Sequence, residues 1–207
     1  MAYGQGKMSN HITYHLGIPE ALREDAAQLY DEAFGAKLAL AISNREQRLR
    51  VLADALCLPF ALVAIADERL VGLAGFKTPQ GGLTKGLTAS KLIHTLGILG
   101  GLWAILILSL YERSQKGSAL LMDGIAVSQT VRGQGIGTGL LNALKAYAHS
   151  NGFSQIRLDV IDTNPAARRL YERQGFVATT TQHFGYLRWL LGFGASTTLI
   201  FTLANVE

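Results

Sequence analysis

Cysteine is almost absent from this chain: Cys57 is the only one in 207 residues. A single thiol cannot close an intrachain disulfide and suits a reducing compartment, so a cytoplasmic location is expected. Charged residues are also scarce, at 16% against 49% hydrophobic, which implies an apolar surplus that is either buried or turned toward a membrane. The net charge of +4 is mild, and no dense Lys/Arg stripe with interleaved aromatics appears, which argues against nucleic acid as a partner. His11, His15, His94 and His149 show no metal-ligand spacing with one another or with Cys57, so no metal is expected. No Gly-Lys-Ser/Thr occurs, which excludes the lysine-bearing phosphate loop. The opening MAYGQGKMSN has no apolar core and no cleavage pattern, so no secretory leader is expected. The length suits one sizeable domain spanning residues 1–207.

Against these absences stands one dense stretch, Met122 to Leu141, MDGIAVSQTVRGQGIGTGLL. It reads as an apolar strand (Leu120 to Val127), a turn, a glycine-rich loop and a helix. Leu140, Leu141, Leu144, Tyr147 and Ala148 then share one helical face. A glycine-rich entry to a helix leaves free backbone N–H groups at the positive end of the helix dipole, which is a ready phosphate site. Gly133, Gly135 and Gly137 lack the spacing of a dinucleotide-binding loop; what remains is Arg132-x-x-Gly135-x-Gly137 directly after a strand.

A second stretch runs from Ile156 to Phe176, IRLDVIDTNPAARRLYERQGF. A strand (Gln155 to Val160) leads into a helix with Asn164 as N-cap and Pro165 at its first position, and Gly175 supplies the stop. Together the two stretches resemble the GNAT superfamily of N-acetyltransferases. Its acetyl-CoA motif is Arg/Gln-x-x-Gly-x-Gly/Ala, and its next helix follows Asn-x-x-Ala-x-x-x-Tyr-x-x-x-Gly-Phe. Asn164, Ala167, Tyr171, Gly175 and Phe176 fall on that second pattern. The clear match covers residues 119–178, with weaker agreement over 11–77.

The resemblance implies an α/β GNAT fold, a mixed and mostly antiparallel sheet flanked by helices, with acetyl-CoA as co-substrate and direct acetyl transfer to a primary amine. It places acetyl-CoA along Ile125, Ala126 and Val127, on the loop Arg132, Gly133, Gln134, Gly135, Ile136, Gly137 and Thr138, and beside Asn164, Ala167 and Arg168. Val127 matches the position whose backbone N–H polarises the thioester carbonyl. Arg168 and Arg169 either reach the outer phosphate of the cofactor or sit on a solvated helix face. Tyr171 matches the acid that protonates the leaving thiolate; a phenol of pKa about 10 carries its proton at neutral pH. The alternative for Tyr171 is a core tyrosine. Asp123, on the fourth predicted strand and on the face of Ile125 and Val127 by strict alternation, is the one candidate base, with a sheet-edge role as its alternative. His183 and Tyr186 are fallbacks.

Elsewhere, residues 11–16 read as a first strand. A helix is expected from Pro19 to about Phe34, broken by Gly35, with a second helix after Ser43 or Asn44. Its Arg45, Arg48 and Arg50 are expected on a solvated face. The family's acceptor wall is formed by these helices, which makes Tyr30, Glu32 and Phe34 candidates for acceptor contact. Pro59 to Ala66 and Arg69 to Phe76 read as a hairpin turning at Asp67-Glu68.

The chain departs from the family between its third and fourth predicted strands, where Thr78 to Ser118 replaces a short connection. Within it, Leu92 to Tyr111 contains no charged residue apart from the titratable His94. Twenty helical residues span about 30 Å, the thickness of a bilayer core. A single crossing is topologically excluded, since both flanking strands belong to one sheet. Two readings stay open: an apolar helix covering the domain, the acceptor pocket or a dimer partner, and an in-plane or re-entrant membrane helix. The aromatic stretch His183 to Gly194 either closes over the acceptor or packs on the insert. A homodimer is expected. The acceptor, whether a peptide N-terminus, a lysine side chain or a small and apolar amine, is not readable. Longer acyl donors and a CoA-binding module with little catalysis, docked on a membrane or partner, are the competing functions.

Overall fold

The computed structural model describes residues 12–109, 119–185 and 188–203. Strands β1 (Thr13–Leu16), β2 (Ala61–Ala66), β3 (Arg69–Thr78), the two-residue β4 (Gly81–Gly82), β5 (Ala119–Val127), β6 (Gln155–Ile161), β7 (Val177–His183) and β8 (Ala195–Thr202) form one sheet. Its order is β1-β2-β3-β5-β6-β8-β7, with β4 added to β3. Every pairing is antiparallel except β5 with β6. The β2–β3 hairpin turns on Asp67 and Glu68, both at positive φ, as a two-residue loop matching the strand twist requires.

Helices cover both faces. α4 (Ile136–Ser150) and α5 (Pro165–Arg173) lie on one side. There Leu140, Leu141, Leu144 and Ala148 pack on Leu120, Met122, Ile156 and Leu158. On the other side α1 (Arg23–Ala41) and α2 (Arg45–Ala55) cover Val63, Leu73 and Ala126. α3 (Ala89–Ser109), from the insert, packs outside them through Leu92, Ala104 and Ile107 against Ala41, Ile42 and Val51.

Three local expectations are corrected. The first helix does not end at Gly35 but runs on to Ala41. Gly35 sits one turn above the buried carboxylate of Asp31, and a Cβ there would come 2.8 Å from Asp31 Oδ1. Glycine's helix penalty of about 1 kcal/mol is outweighed by that packing. Second, Arg48 is not solvated. It is buried, ion-paired to Asp31, and donates from Nη1 to the carbonyl of Ile42 at 2.7 Å. It ties the start of α2 to the end of α1, while Arg45 and Arg50 do face solvent. Asn44 caps α2 by accepting from the Gln47 N–H.

Third, the insert does not form a straight 20-residue rod. Gly97 breaks α3 with φ 74° and ψ 171°, separating residues 89–96 from 98–109. The described part of the second segment, 98–109, is about 18 Å long at the helical rise. Tyr111 and Tyr186 lie outside the described residues.

Candidate active site

The site begins where two parallel strands part. β5 pairs with β6 only over Ala119–Leu121 with Gln155–Arg157, and beyond Leu121 no pairing continues. On its other edge β5 stays bonded to β3 through Val127. Ser128 N–H donates to Val71 O at 2.9 Å, which fixes the phase of that antiparallel ladder. Alternate residues then turn their N–H groups away from β3, so those of Ile125 and Val127 point into the gap. The Val127 carbonyl, also facing outward, accepts from Arg132 Nε at 3.2 Å.

Past this gap the chain enters α4 through Gly133 (φ 81°) and Gly135 (φ 80°), left-handed conformations that a side chain would strain. Nothing lies within 4 Å of the position a Cβ would take at either residue. The first bond inside α4 runs from Gly139 N–H to Gly135 O. The N–H groups of Ile136, Gly137 and Thr138 therefore have no helical acceptor and point out of the helix end. This is an open cradle of donors at a positive dipole end, and it fits a pyrophosphate.

α5 forms the opposite lip. Asn164 Oδ1 accepts from Ala167 N–H at 3.1 Å and caps it, and Lys145 of α4 clamps its far end by donating from Nζ to Gln174 O at 2.7 Å. Ala167 packs with Ile125 and Val127 against the same apolar cluster. Arg168 is ion-paired with Glu172 along the helix surface at 2.8 Å, and both are about half exposed. The ring of Tyr171 is 5% exposed, inside that cluster and against Phe176. Burial pushes its phenol pKa upward, so it holds its proton at every physiological pH.

Asp123 does not share a face with Ile125 and Val127. Gly75 pairs with Gly124 and Phe76 with Met122, leaving Asp123 as an extra residue in β5. Such a bulge breaks the period-two alternation. Met122, Ile125 and Val127 all pack toward α4, whereas Asp123 turns toward α1. There it is ion-paired with Lys77 Nζ at 3.3 Å and accepts from the Thr84 hydroxyl at 3.4 Å. Burial raises its pKa above the ordinary carboxylate value, and Lys77 and Thr84 oppose the rise. Tyr30 stands close by; burial, and then the charge of Asp123, push its phenol pKa up.

Asp123 lines a cleft of about 670 Å³. One wall is α1, with Tyr30, Phe34, Lys37 and Leu38, and another is the insert, with Leu92, Ile105 and Leu108. Phe193, from the aromatic stretch, closes a third side, with Lys37 Nζ 5.6 Å above its ring. Of the three acceptor candidates on α1, Tyr30 and Phe34 reach the cleft, while Glu32 is exposed and does not line it. His183 is likewise exposed. Lys77, Thr84, Lys37 and Asp159 also contribute to the lining. Sequence patterns offered one signal for them, the lysine that follows the apolar run Leu70–Phe76 in β3. Among the described residues, no group of three or more His, Cys, Asp or Glu side chains is arranged to hold a metal ion.

Residues 20–176 match the model of the acetyltransferase (GNAT) family. That is well over half the chain, and the protein belongs to this family. Solved structures bear the same fold. An N-acetyltransferase from Staphylococcus aureus Mu50 superposes with a TM-score of 0.63 at 17% identity, covering 91% of this chain and 100% of that one. YncA from Salmonella typhimurium, solved with its cofactor acetyl-CoA, gives 0.58 at 18% identity, covering 96% and 97%. The ribosomal-protein-S18-alanine N-acetyltransferase of Escherichia coli gives 0.56 at 14% identity, covering 95% and 97%.

Proposed function

We propose that this protein transfers the acetyl group of acetyl-CoA directly to a primary amine held in the cleft beside Asp123. The observation that carries this reading is the parting of β5 from β6. It opens outward N–H groups at Ile125 and Val127 between a phosphate cradle on one side and a buried carboxylate on the other. Gly133 to Thr138, with Arg132, hold the pyrophosphate, and the β5 edge and the Asn164–Arg168 turn line the rest of the cofactor. Acetyl-CoA supplies an activated thioester.

The residues divide the remaining work. The acceptor's amine must lose a proton before it attacks, because a lysine-like amine is about 99.9% protonated at pH 7. Asp123 accepts that proton, directly or through water, and its raised pKa brings it closer to the operating pH. The nitrogen lone pair forms the new C–N bond, and the carbonyl oxygen gains charge facing the Val127 N–H. Donors so placed are worth about 3 kcal/mol. The nitrogen, cationic after attack, loses its second proton through water as the C–S bond breaks and Tyr171 gives its proton to the thiolate; that second proton restores the Tyr171 phenol. Amide and free CoA leave.

The apolar walls from Phe34, Leu38, Ile105, Leu108 and Phe193 favour an acceptor whose amine sits on an apolar body. The test is thiol release from acetyl-CoA across a panel of amines graded in hydrophobicity, with longer acyl-CoA donors in competition. Turnover highest for apolar amines with acetyl-CoA is the expected result. Acetyl-CoA binding without turnover on any amine would favour a CoA-binding module instead.

A further inference from the structure

The cleft carries more positive charge than the proposed transfer uses. Its described lining sets Lys37, Lys77 and Lys85 against Asp123 and Asp159. Both carboxylates already have a cation. Lys77 Nζ lies 3.3 Å from Asp123, and Arg157 Nη2 lies 3.7 Å from Asp159, which also accepts from the Thr198 hydroxyl. Lys37 Nζ sits 5.6 Å over the Phe193 ring. Lys85 differs from the others: it is exposed, and among the described residues its ammonium has no ion-pair partner.

That charge stands next to the proposed base. Thr84, the residue before Lys85, donates its hydroxyl to Asp123 at 3.4 Å. The loop that carries both is held in place. Leu83 N–H donates to Phe76 O at 3.2 Å, Lys85 N–H to Gly82 O at 3.1 Å, and Leu87 N–H to Thr84 O at 3.1 Å. An acceptor amine arrives protonated at neutral pH. A plain ammonium entering this excess of positive charge is repelled, and a polycation more so. An acceptor that brings its own anion is not.

We propose that the acceptor is an amino acid with an apolar side chain, its carboxylate held by Lys85 while its amine faces Asp123. The inference rests on the transfer reading above and names the substrate class of that site. A carboxylate gives Lys85 a charge-assisted hydrogen bond and cancels the acceptor's own positive charge. Because Thr84 and Lys85 are consecutive, the amine and anion subsites are neighbours, as the two groups are on one α-carbon. Phe34, Leu38, Leu108 and Phe193 are left to take the side chain.

The experiment compares L-phenylalanine with 2-phenylethylamine, which keeps the ring and amine but lacks the carboxylate, by thiol release from acetyl-CoA. The native protein should prefer phenylalanine in kcat/KM. K85M should cut that preference by about tenfold or more, the loss expected for one hydrogen bond to a charged group, and K85E should cut it further. Comparing variant with native cancels the different basicity of the two amines. Acetyl-CoA affinity, read by calorimetry, should stay unchanged in both variants and shows that they fold. A native preference for 2-phenylethylamine, or a preference unmoved in K85M and K85E, would overturn the carboxylate assignment and leave acetyl transfer standing. A second arm needs no turnover: calorimetric binding of N-acetyl-L-phenylalanine and of N-acetyl-2-phenylethylamine to the CoA-loaded protein. Tighter, Lys85-dependent binding of the former without turnover of either amine would support the anion subsite and overturn the transfer reading instead. Binding of neither, with no turnover, would overturn both.

Discussion

The two sides of the proposed site are built by different means. The proposed cofactor side is mostly backbone: N–H groups of Ile136, Gly137 and Thr138 at a helix end, and of Ile125 and Val127 on a strand edge. The proposed acceptor side is mostly side chains, gathered from α1, β3, β5, the insert and the loop before β8. Backbone recognition needs glycines at fixed spacing within one continuous segment. Side-chain recognition needs no local pattern, since each group arrives from a distant part of the chain. The insert supplies one whole wall of the cleft.

Substitutions on the two sides should separate binding from turnover. Asp123→Asn, on the acceptor side, is expected to lower kcat by about 10²–10⁴-fold, the range for loss of a positioned base. Acetyl-CoA affinity should stay unchanged in calorimetry. The helices that carry the two sides should differ as sharply in stability. Leu144→Ala in α4, fully buried, is expected to cost about 2–5 kcal/mol by urea unfolding. Leu99→Ala in α3 should change stability by no more than about 0.5 kcal/mol. Equal costs would mean that α3 has a covered outer face in the isolated protein.

Tyr171→Phe is expected to reduce turnover by about a hundredfold with cofactor binding intact. A fall in stability without a fall in kcat would return Tyr171 to a packing role. The smallest effect concerns pH. Asp123 acts as a base only when ionised, so kcat/KM should fall as pH drops through its raised pKa. Lys77 lowers that pKa, so Lys77→Met should move the acid limb to higher pH. A shift toward lower pH would contradict the pairing.

Much of the backbone that frames the proposed cofactor side was legible in the sequence, because its determinants are local: Gly133 and Gly135 at positive φ, the Asn164 cap and the strand before them. The acceptor side was legible only in pieces. Asp123 was found as a residue but placed on the wrong face, because a bulge is a property of two paired strands and leaves no mark in the alternation of one. Arg48 looked like a surface arginine because its partner, Asp31, lies on another helix. Gly35 looked like a helix stop for the same reason: the carboxylate packed against it outweighs local propensity. The apolar insert was visible as composition, while its kink and its two faces emerged only from packing.

The central claim is that Gly133 to Thr138 hold the phosphates of acetyl-CoA. Calorimetric titration tests it most directly, comparing the native protein with Gly135→Val, with folding checked by circular dichroism. The account predicts micromolar acetyl-CoA binding to the native protein and a loss of at least a hundredfold in the folded variant, whose side chain would fill the cradle. Unchanged affinity in a folded Gly135→Val protein, or no binding by the native one, would contradict it.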